Sequence, residues 1–229
     1  MHVVIVNTLL ENGVTFRCGK HGDDLKHAIY VFCRTMSSHH IVRDNQEPAL
    51  LLVDVSESGF AFIQELLEWS PRIMVCEQAL EEVLKWDIKI DAAIVEEVHR
   101  NRWLKALQHQ APVQLFTCPA GEPPWVTAFY LLKTTGQKSV HVVGVHPNQI
   151  QFVPDDLDIT CVHRHTRWVY VRSGRFEKWL PAGVRIDVLG ENAVVSGVDN
   201  DGYTQADGLV RIAASSPSWI GEQLPVTST

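Results

Sequence analysis

The chain has 229 residues, 45% hydrophobic and 21% charged, the balance of an ordinary globular protein. At roughly 100–200 residues per domain, that length fits one large domain or two small ones and can bury a core without metal or disulfide staples. With 20 Lys and Arg against 27 Asp and Glu the formal charge is −7, which argues against a nucleic-acid or anionic-membrane surface. No apolar run approaches the roughly 18 residues that span a bilayer.

The opening VVIV at 3–6 has no basic stretch before it and turns polar at Glu11, unlike a secretory signal. The five cysteines are odd in number, widely separated and form no CxxC pair, and Cys33, Cys76 and Cys118 end apolar runs. They read as reduced, mostly buried thiols of a cytoplasmic protein, and zinc is not expected.

Residues 11–28 are polar and ambiguous, opening either a helix at Asp23 or a strand at Ala28. From there the pattern sharpens. The run at 49–55 predicts a strand, with Ser56 as N-cap of a helix over 57–69 that Ser70-Pro71 ends. Strands are expected at 72–76, 90–95, 113–118 and 139–145, alternating with helices over 78–86, 97–108 and from Pro123-Pro124 through Lys133. Five β-runs separated by helices indicate βαβ units and a mostly parallel sheet with helices on both faces. Beyond about residue 150 the period changes. IQFV, ITCVH, RWVYV, VRIDVLG, AVVSGV and LVRIAA read as short strands of a small antiparallel, sandwich-like domain. Pro154-Asp155-Asp156 is the natural linker, and only the last residues, PVTST, look frayed.

Ligand sites on parallel sheets lie at the carboxyl ends of the strands, where the order predicts a rim of Glu57, Glu77, Glu96, Glu97 and Glu122. Such carboxylates either hold Mg²⁺ against a polyphosphate or sit at helix starts complementing the dipole. Neither Gly-rich phosphate fingerprint is present. His163 and His165 are expected to alternate on one strand face, as half-buried or exposed residues rather than metal ligands, with His141 on another strand. Trp168 and Tyr170 share a face and are expected to pack the small sheet, the alternatives being a stacked cationic heteroaromatic or a dimer contact.

The order of elements and several strings resemble thiamine pyrophosphokinase. "SSHHIVRDNQEPALLLVDV" looks like that family's opening strand, and "RIMVCEQALEEVLKWDIKIDAAIVEEVH" resembles its segment from D-G-[GA]-A to G-D-x-D-S. "GEPPWVTAFYLLKTTGQKSVHVVGVHPNQIQF" resembles its T-D helix, strand and G-A-T-G-x-R-x-D-H turn. "SGRFEKWLPAGVRIDVLG" looks like the strand pair that opens its β domain. The resemblance covers about 37–229 and divides the chain into an extension at 1–36, an α/β nucleotide-binding-like domain at 37–154 and a small β domain at 155–229. The extension is expected to add an edge strand or form an interface.

The family's functional residues are poorly kept. Its D-G-G-A aspartate falls on Glu77, and its P-D aspartate is present as Asp91. In its G-D-x-D-S metal loop Glu96 replaces the first aspartate and Val98 the second. The T-D aspartate falls on Pro124. In the glycine turn Gly144 survives, the phosphate-facing Arg is Gln149, and D-H becomes Gln151-Phe152. The resemblance implies Mg²⁺-dependent pyrophosphate transfer from ATP to thiamine, with Mg²⁺ and ATP as cofactors of an active enzyme. It implies Glu77, Asp91 and Glu96 as catalytic candidates and Glu96 and Glu97 as metal ligands. Gly144 and Gln149 would face the nucleotide, Trp179 and Trp219 the thiamine, and a homodimer is implied. With so many ligands changed, the expectation is a catalytically impaired member that keeps the scaffold. An active enzyme with a rebuilt acidic rim and an unrelated α/β binding protein are the alternatives.

Overall fold

The computed structural model describes residues 3–6, 47–57, 59–68 and 72–224. The Val, Ile, Leu and Ala runs of the first part form strands buried on both sides: β2 (Ala49–Leu52), β3 (Ile73–Cys76), β4 (Ala92–Glu96), β5 (Val113–Cys118) and β6 (Ser139–Val143). Such near-continuous burial requires cover on both faces, and the helices supply it. α1 (Gly59–Leu67), α2 (Glu77–Val83) and α3 (Arg100–Ala106) pack one face through Ile63, Leu80, Val83 and Trp103. α4 (Pro124–Thr134) packs the other through Ala128, Phe129, Leu131 and Leu132.

Two further groups of strands complete the architecture. β1 (Val3–Val6) pairs antiparallel with β5, so the start of the extension becomes the outer strand of the parallel part. The HAIYVFC run of the extension lies outside the described residues. β7 (Asp158–His163) pairs parallel with β6, and β8 (Thr166–Val171) then pairs antiparallel with β7. With β10 (Ile186–Leu189) and β13 (Ser218–Gln223) they give one ten-stranded sheet in the order β1-β5-β4-β3-β2-β6-β7-β8-β13-β10. The break in period near residue 150 is thus a switch from parallel to antiparallel pairing within a continuous sheet. β9 (Arg175–Leu180), β11 (Val194–Ser196) and β12 (Gly208–Ala213) form a separate three-stranded antiparallel sheet in the order β11-β12-β9. Leu180, Val210 and Ile212 of the small sheet meet Ile186 and Ile220 of the large one in a core of their own.

Local departures from the sequence pattern have physical causes. α1 starts at Gly59 rather than at 57, because Asp54 Oδ1 accepts the Ser56 N–H (2.8 Å) and holds 54–57 in an Asx turn. Ser56 is therefore not an N-cap. The expected helix over 97–108 is 3₁₀ at both ends, Glu97–His99 and Leu107–Gln110, around α3. The run at 150–153 is not a strand: the Ile150 N–H closes the turn on the Pro147 carbonyl (2.9 Å), and the place beside β6 belongs to β7. β13 escaped the strand reading because SWIGEQ is interrupted by Gly221. A Cβ there would come within 2.8 Å of the Trp168 ring, so that ring takes the room a side chain would fill. The PVTST tail lies outside the described residues.

Candidate functional site

Helix and strand ends bring Glu77, Glu96 and Glu122 to one corner at the carboxyl ends of β3, β4 and β5. Their shared target is Cys118, whose thiol is pushed up first by burial and then by the negative charges of Glu96, Glu122 and Glu77. A neutral, buried thiol beside carboxylates is a poor nucleophile. Cys76 and Cys161 are likewise buried free thiols pushed up by desolvation.

Glu77 opens α2, and no side chain of the preceding residue caps that helix. Its own carboxylate is instead turned across to the next βα connection. Oε2 accepts the Glu96 backbone N–H (2.8 Å), Oε1 accepts the Trp103 indole N–H (2.9 Å), and His99 Nδ1 lies 2.7 Å from Oε1. Both oxygens are thus engaged in tying β3 and α2 to β4 and α3. Glu96 is half-buried beside this network, Glu97 is exposed, and Val98, at the place of the second loop aspartate, is 77% exposed. Glu57 is exposed and pairs with Arg164 (3.3 Å).

Asp91 does not join this corner. It lies at the opposite end of β4 from Glu96, about 17 Å away at the usual rise per residue. There its Oδ2 accepts the Ile73 N–H (2.8 Å) while its backbone bonds β3 and β5, so it ties the starts of three adjacent strands together. Among the described residues no three His, Cys, Asp or Glu side chains are grouped so as to hold a metal ion.

The glycine turn after β6 also serves the fold. Gly144 has φ +87°, and a Cβ there would fall 1.9 Å from the Asp54 carbonyl oxygen, so close approach to the chain leaving β2 demands glycine. Gln149 caps the same turn, its Oε1 accepting the His146 N–H (3.1 Å). His146 packs edge-on against His163 and Trp168, with ring centroids 5.4 and 5.3 Å apart. His163 and His165 do not share a strand face: Arg164 and His165 form the two-residue turn between β7 and β8, with Arg164 at φ +55°. His141 is half-buried on β6, its pKa lowered by burial and by the Arg167 charge.

The tryptophans separate in the same way. Trp219 is buried, its ring tilted against Tyr170 at 4.9 Å, and Trp168 is buried beside it; these rings pack the main core under the ten-stranded sheet rather than the small sheet, because β8 and β13 continue the large sheet. Trp179 sits on the other sheet, 59% exposed, opposite Leu209 on its outer face. Trp179 and Trp219 therefore do not form one pocket wall by themselves.

A cleft of about 840 Å³ lies beside this corner, a size typical of small-molecule sites. One wall is α4, through Trp125, Tyr130 and Lys133; the other is the segment 149–154, through Gln149 and Phe152. Glu122 stands at the entry to α4. Trp125 and Tyr130 went unnoticed in the sequence, and Phe152 entered only as a replacement in the glycine turn, because 150–153 reads as a strand and nothing local brings it opposite α4. The available signal was helical spacing, Trp125-Phe129-Lys133 and Val126-Tyr130, which puts apolar residues on more than one side of α4.

No family model matches the chain, and no curated protein matches it in sequence. Solved structures do. Thiamine pyrophosphokinase from Bacillus subtilis superposes with TM-score 0.57 over 78% of this chain and 99% of that one, at 10% identity. Thiamin pyrophosphokinase from Candida albicans gives 0.58 over 78% and 90%, at 6% identity. A probable thiamine pyrophosphokinase from Staphylococcus saprophyticus gives 0.53 over 77% and 98%, at 11% identity. The chain has the thiamine pyrophosphokinase fold, a large mostly parallel sheet joined to a small antiparallel one.

Proposed function

We propose that the protein is a divergent thiamine pyrophosphokinase-like protein that has lost pyrophosphate transfer and keeps the scaffold as a small-molecule binding protein. On this reading the chain divides into the extension to residue 36, an α/β domain at 37–154 and a β domain at 155–229. The observation that carries it is the engagement of Glu77. A carboxylate whose oxygens already serve Trp103, His99 and the Glu96 N–H is oriented by those partners and leaves only one lone-pair site, on Oε2, for a hard divalent ion. Asp91 is occupied at the far end of its strand, Val98 offers no side-chain oxygen, and among the described residues Glu96, Glu97 and Glu122 are not grouped so as to hold a metal ion. The residues present therefore do not fit Mg²⁺ and ATP.

The test is turnover. The protein incubated with Mg²⁺, ATP and thiamine is expected to form no AMP above the enzyme-free rate. AMP formation abolished by Glu96→Ala would instead establish an active enzyme working with a rebuilt acidic rim.

A further inference from the structure

The parallel strands have two ends, and the end away from the acidic corner carries a second cavity, of about 350 Å³. That volume lies at the small end of the range for small-molecule sites. Its lining comes from three places in the chain: Glu47, Pro48 and Leu50 where β2 begins, Glu65 and Leu66 on α1, and His141 on β6.

The cavity sits where the cover of the sheet is split. Leu50 and His141 are register partners, as are His141 and Thr160, so all three face one side of the sheet. On that side α1, α2 and α3 cover β2 to β5, and the small sheet covers β8, β13 and β10. The seam between the two covers falls over β6 and β7, where His141 and Thr160 are half-buried polar residues.

The chemistry of the lining is one-sided. Buried Gln137 donates to the Glu47 carbonyl (2.6 Å), which fixes the backbone at the mouth. The Glu47 and Glu65 carboxylates have no ion pair or side-chain hydrogen bond among the described residues, and the lining holds no Lys or Arg to offset them. Burial, and then the Arg167 charge, lower the pKa of His141, so at pH 7 it is a neutral imidazole with a lone pair to offer and no charge opposing the carboxylates. Pro48, Leu50 and Leu66 make the rest of the wall apolar. Three acceptors beside an apolar wall match the three donors of a primary ammonium.

We propose that this cavity binds a primary ammonium on a compact apolar body, its N–H donors directed to Glu47, Glu65 and His141 and its hydrocarbon against Leu50 and Leu66. The site goes beyond the reading of the protein as an inactive scaffold and stands whether or not pyrophosphate transfer is retained, because the acidic corner lies at the opposite ends of the strands.

Cyclohexylmethylammonium is the probe, titrated calorimetrically into the full chain at pH 7. Its controls are cyclohexylmethanol, which lacks the charge, and the N-trimethyl analogue, which keeps the charge and lacks the donors. Saturable one-to-one binding of the primary ammonium is expected, with both controls at least about tenfold weaker. The double variant Glu47→Gln, Glu65→Gln should weaken the ammonium about tenfold and leave the alcohol unchanged. Both carboxylates reach solvent, so that variant keeps its fold, which a thermal melt checks. Leu66→Trp, which fills the cavity from α1, should abolish binding independently of charge. Absence of saturable binding, equal binding of the three probes, or binding unchanged in either variant would each overturn the proposal. Formation of AMP from ATP and thiamine would overturn the loss of transfer and leave this site standing.

Discussion

The acidic corner and the aromatic cleft lie side by side, yet their side chains are used in opposite ways. At the corner, Glu77 accepts from Trp103 and the Glu96 N–H with His99 alongside, and little of it is left for a ligand. In the cleft, Tyr130 and Phe152 meet solvent, and the Glu122 carboxylate carries no hydrogen bond or ion pair among the described residues, its backbone N–H alone bonding the Pro119 carbonyl. Residues recognisable by chemistry have become part of the fold, while inconspicuous ones hold the open surface. Exposure and hydrogen-bond occupancy, rather than residue type, separate what can meet a ligand from what holds the chain together.

This contrast is sharpest in stability. Glu77→Ala strips the acceptor from a buried indole N–H and a backbone N–H, which should cost about 3 kcal/mol. For a chain of this size that lowers Tm by roughly 6–12 °C in a thermal melt. Glu77→Gln, which keeps one acceptor oxygen, should cost about half as much. An unchanged Tm in Glu77→Ala would return the residue to the candidate ligands and undo the comparison.

A second carboxylate committed to the fold gives a smaller, pH-dependent effect. Glu222, on β13, accepts from Arg167 (2.8 Å) and from Lys178 (2.6 Å) across the two sheets. Burial alone would raise its carboxyl, but the bonds to Lys178 and Arg167 outweigh burial and hold it below the ordinary value of 4.5. A folded value below the unfolded one means the contribution is present above about pH 4.5 and disappears as pH falls through the folded value. Glu222→Gln should therefore cost about 1–2 kcal/mol at pH 7 in urea unfolding, and the gap to the parent should close progressively below pH 4.5. A gap constant with pH would mean that the ionised carboxylate contributes nothing.

The smallest effect belongs to the cleft. Phe152→Ser removes a ring that is mostly in solvent and should shift stability by less than about 0.5 kcal/mol in the same measurement. A large loss would make Phe152 a packing residue and leave the cleft without its open wall.

Much of the parallel half was legible in the chain. The bounds of β5 match the 113–118 run, and α4 runs close to the span that Pro123-Pro124 and Gly136 mark out. These elements are read easily because continuous apolar runs and a proline at the helix start act locally. The corner was half legible: Glu77 and Glu96 do fall at adjacent strand ends. Asp91 was misleading, since a residue four or five positions along a strand from the rim occupies the opposite end of the sheet. The cleft was the least legible, because it needs α4 and a non-strand segment some twenty residues further on to face each other.

Local pattern alone determined the alternation of strands and helices, the change of period near residue 150, and the buried state of Cys76, Cys118 and Cys161, because burial periodicity and turn chemistry act over a few neighbouring residues. Only the tertiary structure decided that β7 continues the parallel sheet, that β1 closes onto β5, and that the carboxylate of Glu77 is taken up by Trp103 and the Glu96 N–H. Strand order and the partners of a carboxylate depend on which distant segments meet, and those contacts are set by the packing of the whole chain.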